Sequence, residues 1–199
     1  MKIISNWERG FTLVELLTVT VVTVTISVLI SMIITFALRG TNKTNSVDEV
    51  RKNGNYALLQ ISKIIEYAKS FDGVSTDGVS YDYNCVQIPV QAPSPSPTPL
   101  HYSHLRMANF DGDKTVFSCV PAIQTTPATI ASNGASLIDT NSVSLDSNSC
   151  FFTCLQQRIT DVPTIGVNFG LSKKTSSTLF ENKSSIPFQT SVTVRNLGR

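Results

Sequence analysis

The chain has 199 residues, 41% of them hydrophobic and 15% charged, and a formal net charge of +2 at pH 7. This length suffices for one modest hydrophobic core. No basic run is longer than Lys173-Lys174, so the sequence lacks the concentrated positive charge that nucleic acid attracts. We therefore expect no nucleic-acid partner.

An almost uninterrupted apolar run extends from Phe11 to Leu38, with no glycine or proline and one charged residue, Glu15. At 1.5 Å per helical residue, about 28 residues reach roughly 42 Å, more than the ~30 Å of a bilayer core. Because a backbone in lipid must satisfy its own hydrogen bonds, we predict a membrane-spanning helix over residues 11–39. Its threonine hydroxyls are expected to bond the carbonyl one turn back.

Glu15 needs a separate explanation, because an unpaired carboxylate in hydrocarbon costs on the order of 2 to 3 kcal/mol. Solvation at the membrane interface is one explanation. The context Gly10-Phe11-Thr12-Leu13-Val14-Glu15 suggests another. It closely resembles the class III signal of type IV pilins and type II secretion pseudopilins: a short polar leader, a glycine before the cut, a phenylalanine as new N-terminus, and a glutamate at the fifth mature position. An ordinary signal anchor is the alternative.

The resemblance covers the leader and the apolar helix, and it implies a role for each matching residue. A prepilin peptidase would remove residues 1–10 by cutting after Gly10, and the new Phe11 amine would be N-methylated. Thr12 and Glu15 would serve filament assembly, with Glu15 paired to the Phe11 amine of a neighbouring subunit, which would fix the register of the two chains. Major pilins often carry a glycine or proline in this helix, and its absence here favours a low-copy subunit.

The same resemblance implies a fold, a location and partners. The fold is α+β and pilin-like: a long N-terminal helix, first transmembrane and then amphipathic, packed on an antiparallel β-sheet head. The protein would cross the inner (cytoplasmic) membrane once, with the head outside the cytoplasm, and then enter an extracytoplasmic filament. Its partners would be other pilin subunits, the prepilin peptidase/methyltransferase, an inner-membrane assembly platform and the membrane. No cofactor is expected.

A second, amphipathic helix is predicted within residues 40–72. The polar stretch 40–46 is expected to bend or loosen the chain as it leaves the membrane. Ser46 followed by Glu49 indicates a capping box, and Asp72-Gly73 indicates the end of the helix. Apolar or small residues then recur at spacings of three and four, which predicts a helix packed on a sheet: Val47, Val50, Gly54, Leu58, Ile61, Ile65, Ala68 and Phe71.

Residues 73–199 are predicted to form an extracytoplasmic β-rich head. The proline-rich segment 89–99 cannot pair inside a sheet and is expected to be a surface loop, with a ligand for a proline-binding partner as the alternative. A further loop is expected around 175–185. The closing Thr/Val…Arg-Asn pattern resembles the last strand of minor pilins and J-type pseudopilins. Alternating and β-prone segments predict the following strands: Val79–Ile88, Thr115–Val120, Ala135–Leu145, Cys150–Ile159, Thr164–Ser172 and Phe188–Arg195.

The four cysteines, Cys85, Cys119, Cys150 and Cys154, are an even number in the part expected outside the cytoplasm, which indicates disulfides. Of the three possible pairings we favour Cys85–Cys119 and Cys150–Cys154, because each joins nearest neighbours in sequence. The second pair requires a helical turn or tight loop, since a strand would separate the two Cα atoms by about 13 Å. Zinc binding by the four thiolates is the alternative, although no Cys-x-x-Cys occurs.

No catalytic or metal motif stands out. His101 and His104 are three residues apart but lack an evident third ligand, and Asp111-Gly112-Asp113 fits a hairpin turn better than a calcium loop. No nucleophile elbow, His-Glu-x-x-His or phosphate-binding loop occurs. We therefore expect no enzyme and no metal site.

The resemblance thus implies a minor pilin, a structural or priming subunit of a type IV pilus-like filament. One alternative is a minor pseudopilin of a type II secretion or DNA-uptake (competence) system. Another is an adhesin mounted on the filament.

Overall fold

A computed structural model of the chain describes residues 11–85, 100–124, 126–158, 161–174 and 185–195. One long helix is followed by antiparallel strands, so the predicted α+β class is confirmed. The chain divides into an N-terminal unit, Met1–Asn42, and a head unit, Lys43–Arg199. The predicted leader and the proline-rich segment 89–99 lie outside the described residues.

A single helix, α1, extends over Leu13–Tyr67. Its first part is apolar, and every residue from Phe11 to Asn45 is exposed. The predicted hydroxyl bonds are present: Thr23 Oγ1 donates to the Val19 carbonyl at 2.7 Å, and Thr35 Oγ1 to the Ser31 carbonyl at 2.8 Å. Polar side chains are thus satisfied within the helix, as an apolar environment requires.

The predicted boundaries of the second helix are wrong. Residues 40–46 stay helical, so Ser46 is not an N-cap; its side chain is buried on the helix instead. The helix ends at Tyr67 rather than at Asp72-Gly73, which belong to the first strand. Weak helix formers lower helix stability by up to about 1 kcal/mol per residue. Residues 40–45 are exposed, so the helical turns on either side, rather than packing, carry the helix through them.

The first sheet has five antiparallel strands in chain order. The predicted turn between its second and third strands is confirmed, with Gly112 at φ 93°. A second tight turn at Asn133-Gly134 joins its last two strands, with φ values of 48° and 82°. The strands are β1 Ser70–Ser75, β2 His104–Ala108, β3 Lys114–Val120, β4 Thr129–Ser132 and β5 Ala135–Ser136.

The second sheet is built on its longest strand, β8 (Thr164–Lys173). β9 (Ser185–Thr193) pairs with β8 over nine positions. β6 (Val143–Leu145) and β7 (Phe151–Leu155) lie end to end along the opposite edge of β8. Tyr102 forms a bridge with Phe152 of β7, and this bridge ties the start of β2 to the second sheet.

Four of the predicted strands are confirmed, as β3, β7, β8 and β9. The others differ from the prediction. The segment 79–85 forms only a bridge from Asp82 to Val74. The predicted strand Ala135–Leu145 is two short strands with a bend between them. β1, β2 and β4 were not predicted.

The core of the head unit lies between α1 and the strands. Val50, Ala57, Ile61 and Ile65 are fully buried on one helix face. They belong to one cluster with side chains from both sheets, such as Phe117. The predicted apolar stripe is therefore confirmed as the packing face of the helix.

The favoured disulfide pairing is wrong. Cys85 bonds Cys154, and Cys119 bonds Cys150, with Cα–Cα distances of 5.5 and 5.7 Å. Cys154 lies within strand β7 and Cys150 immediately before it, so the extended backbone holds them too far apart to bond. Proximity in sequence misled the prediction, because the bonds join segments that meet only in the folded sheet.

Candidate functional site

The residues expected to act in assembly lie at the start of α1. Thr12 caps the helix: its Oγ1 accepts the Glu15 N–H at 3.3 Å, and its carbonyl accepts the Leu16 N–H at 3.2 Å. A threonine followed three residues later by a glutamate is the capping-box pattern. The pattern we expected at Ser46 is therefore found at Thr12. Regular helix begins at Leu13, the third residue after the predicted cut, and Gly10 itself lies outside the described residues.

Glu15 stands in the first turn of a helix whose next residues are apolar and exposed. A carboxylate here interacts favourably with the positive end of the helix dipole. Among the described residues, none forms an ion pair with this carboxylate. Phe11 is 78% exposed. The geometry thus places a single acidic group and an aromatic ring at one end of a long apolar surface.

That surface is long and apolar enough to cross a membrane. An 18-residue window of α1 has a mean hydropathy of 2.5, and none of this window is buried. Large side chains such as Leu29 and Phe36 are more than half exposed. Water is a poor solvent for so continuous an apolar surface, which indicates lipid or other helices as its surroundings.

In the head unit, α1 is fixed to the second sheet by a close contact and two ion pairs. A Cβ on Gly54 would lie 2.1 Å from Cζ of Phe188, so only glycine permits this approach. Lys173 pairs with Glu49, and its donated hydrogen bond lowers the pKa of that carboxyl. Near the other end of the helix, Arg195 Nη2 lies 2.7 Å from Glu66 Oε1.

A cavity of about 770 Å³ opens between the β3–β4 loop and the β6–β7 loop. The Cys119–Cys150 disulfide lines it, whereas Cys85 and Cys154 are buried elsewhere in the core. One set of lining residues is aliphatic: Val120, Pro121, Ala122, Pro127, Ala128 and Leu145. A second set carries hydroxyl, amide or imidazole groups: Thr76, Ser103, His104, Ser144, Ser147 and Asn148.

His104 is the titratable group of this cavity whose pKa is shifted, and burial lowers it. Its Nδ1 lies 3.1 Å from Ser103 Oγ, which donates its own hydrogen to the Thr76 carbonyl at 2.6 Å. Since serine has one hydroxyl hydrogen, Nδ1 must be the donor to Ser103. Nε2 is then left as a hydrogen-bond acceptor, with no hydrogen-bond partner among the described residues.

The other candidate residues do not converge on a metal site. His101 stacks on Phe151 with ring centroids 3.8 Å apart, away from the partners of His104. Asp111 Oδ1 accepts the Asp113 N–H at 3.1 Å within the hairpin turn. No group of three or more potential metal ligands occurs in the described part of the chain.

The cavity was missed by sequence reasoning because its walls come from four separated segments. The one available signal was the pair Pro121 and Pro127, which bracket a short loop that follows an apolar strand. No protein-family model, curated protein or solved structure matches this chain. Its function is therefore argued from the chemistry of its own residues.

Proposed function

We propose that the chain is a minor pilin, a non-enzymatic structural or priming subunit of a type IV pilus-like filament. The prepilin peptidase/methyltransferase would cut after Gly10 and then methylate the Phe11 amine. Glu15 would pair with the corresponding amine of a neighbouring subunit. Other pilin subunits and an inner-membrane assembly platform are the expected partners.

The observation that carries the proposal is the position of Glu15: one carboxylate in the first turn of a long, exposed, apolar helix. Leaving it unpaired in hydrocarbon costs on the order of 2 to 3 kcal/mol, and a cationic amine from a neighbour would remove that cost. The capping interaction of Thr12 supports the proposal, because the helix begins at Leu13, after the predicted cut. Two disulfides support an oxidising location for the head.

The substitution Glu15→Gln tests the pairing. It removes the charge but keeps the size and polarity of the side chain, so we expect normal membrane insertion and loss of the protein from sheared filaments. Glu15→Asp is the matched control, because it keeps the charge and should retain part of the incorporation. Unchanged recovery of Glu15→Gln in the filament fraction would refute the pairing.

Processing is tested separately with Gly10→Val. A branched side chain at the residue before the cut should block the peptidase, and intact-mass spectrometry should then find the leader still attached. A normal mature protein beginning at Phe11 in this variant would contradict the proposed signal.

The second candidate function is a minor pseudopilin of a secretion or DNA-uptake machine. Cleavage after Gly10 and pairing of Glu15 would be the same in that protein. The cavity in the head favours a third candidate, an adhesin mounted on the filament. Deleting a priming subunit should abolish the filaments. Deleting a pure adhesin should leave the filaments intact but abolish attachment.

A further inference from the structure

The second sheet has an open edge along the outer side of β9. Among the described strands, β9 pairs with β8 alone. Gly170 of β8, opposite Pro187, donates its N–H to Ser149 Oγ at 2.9 Å, and its carbonyl accepts the Asp146 N–H at 2.9 Å. Both partners lie between β6 and β7, on the side of β8 away from β9. Gly170 and Pro187 are therefore a pair without mutual hydrogen bonds, and the backbone of Pro187 points outward.

The direction of the backbone groups alternates along a strand, so every second residue after Pro187 also points its N–H and C=O outward. These outward-pointing residues are Gln189, Ser191 and Thr193. The residues between them bond to β8, and Val194 continues that series, since it donates its N–H to the Pro163 carbonyl at 3.3 Å. No backbone group elsewhere in the described ranges bonds to the outward-pointing residues. They form an open row of donors and acceptors that another strand can use.

The side chains of β9 carry no charge and differ between its two faces. Phe188 lies against Gly54 and marks the face toward α1, where Ile186 and Val192 are only partly buried. The residues on the other face are exposed: Pro187, Gln189, Ser191 and Thr193. Edge strands are commonly protected by a charge, by a proline or by being short. Pro187 protects only the beginning of this nine-residue strand, so the part from Gln189 to Thr193 is unprotected.

A strand added beside β9 would also find an apolar surface next to α1. Asn53 marks the other side of the helix, because its Oδ1 accepts the Asp139 N–H at 3.0 Å in the loop before β6. Leu58, five residues later, lies about 140° around the helix from Asn53, on the side of the β9 edge. Leu58, Ile186 and Val192 are all partly buried against the core. Apolar side chains at alternate positions of an added strand would cover them.

We propose that the open edge of β9 binds an extended, uncharged segment of another protein as an additional antiparallel strand. Main-chain hydrogen bonds supply the affinity, and the alternation of the segment supplies the selectivity. Its apolar side chains face α1 and cover Leu58 and Val192, and its polar side chains lie beside Gln189 and Ser191. The inference concerns the head unit alone, so it does not depend on cleavage after Gly10 or on filament assembly.

A second copy of this chain is a poorer occupant of the edge. α1 and β9 run in the same direction, because Gly54 lies against Phe188 and, further along both elements, Glu66 pairs with Arg195. A twofold antiparallel pair of β9 strands would therefore turn the second helix end for end. Two copies anchored in one membrane by the start of this helix could not pair in that way.

The test uses the purified full chain in detergent and the heptapeptide acetyl-Thr-Val-Thr-Val-Thr-Val-Thr-amide. In the proposed pairing, the threonine amides of the peptide bond to β9 and its valine amides point away. N-methylation of the three valines thus preserves the binding edge and stops the peptide from pairing with itself. An isomer with three N-methylated threonines instead is the matched control. In the protein, Ser191→Pro removes one outward N–H, and Ser191→Thr is its control.

We expect the valine-methylated peptide to bind with a Kd below about 1 mM. The threonine-methylated isomer and Ser191→Pro should each weaken binding by about tenfold or more, and Ser191→Thr should leave it unchanged. Amide exchange followed by NMR should be fast at Gln189 and Ser191 in the free chain and slow when the peptide is bound. Thr190 and Val192 should exchange slowly throughout, including in Ser191→Pro, which shows that the variant keeps its fold.

Four results would overturn the proposal. The valine-methylated peptide does not saturate, or the two isomers bind equally well. The amides of Gln189 and Ser191 are already protected in the free monomer, which would mean that another part of the chain covers the edge. The chain forms dimers that Ser191→Pro abolishes, which would make a second copy the occupant.

Discussion

Replacing Gly54 by alanine tests how α1 is fixed to the second sheet. The added Cβ would lie 2.1 Å from Cζ of Phe188 and needs about 1.3 Å more room to reach ordinary van der Waals contact. Phe188 cannot easily yield, because it is buried and stacks on Phe169 at 5.4 Å. Overpacking of this kind costs roughly 1 to 3 kcal/mol, while alanine gains about 1 kcal/mol in helix propensity. Because the overlap is large and Phe188 is buried, the upper part of that range, about 2 to 3 kcal/mol, applies here, and we expect a net loss of about 1 to 2 kcal/mol.

The loss should appear as a decrease in Tm of roughly 3 to 6 °C in thermal unfolding followed by near-UV circular dichroism. Gly40→Ala is the matched control, because it lies in the same helix with nothing within 4 Å of the added carbon. That variant should be neutral or slightly stabilised. The double variant Gly54→Ala/Phe188→Leu should recover part of the loss. A Tm of Gly54→Ala at or above that of the parent chain would refute the close-contact explanation.

Two other predictions concern the disulfides and pH. Removing the Cys119–Cys150 bond, which closes a loop of 31 residues, should lower the free energy of unfolding by about 3.7 kcal/mol through loop entropy. Removing Cys85–Cys154, which closes a loop of 69 residues, should lower it by about 4.4 kcal/mol. Chymotryptic mapping without reduction, which cuts between Cys150 and Cys154, should find only these pairings. Burial holds the pKa of His104 below 6.5, so the unfolded chain binds more protons and stability should fall as pH drops from 6.5 through the folded pKa. His104→Phe should flatten that dependence, and an unchanged slope would contradict it.

Periodic patterns in the sequence correctly predicted the elements that are determined by residues close together in the chain. The apolar run and the stripe containing Val50, Ile61 and Ile65 predicted one face of packing and one apolar surface, and both are present. The hairpin turn at Gly112 was equally readable, because a positive φ strongly favours glycine. The predicted start of the second helix was wrong, because the polar stretch 40–46 remains helical despite its weak helix propensity.

The elements that were missed depend on contacts distant in sequence. β2, His-Leu-Arg-Met-Ala, contains good helix formers, and it is a strand because β1 and β3 pair with it on both edges. The Cys85–Cys154 bond likewise depends on where strand β7 passes, which no spacing rule reveals. The cavity could not be predicted for the same reason, because it forms where a loop of the first sheet meets a loop of the second sheet in the folded head.

The capping geometry decides which substitution of Glu15 is informative. The Glu15 side chain stands three residues after the Thr12 cap, where a capping box uses glutamate or glutamine alike. Glu15→Ala would remove both the charge and any capping contribution, so a defect could arise from a frayed first turn. Glu15→Gln keeps the capping chemistry and loses the charge together with about 0.3 to 1 kcal/mol of dipole interaction. A filament defect in the glutamine variant with unchanged helix content therefore reports the missing charge on its own.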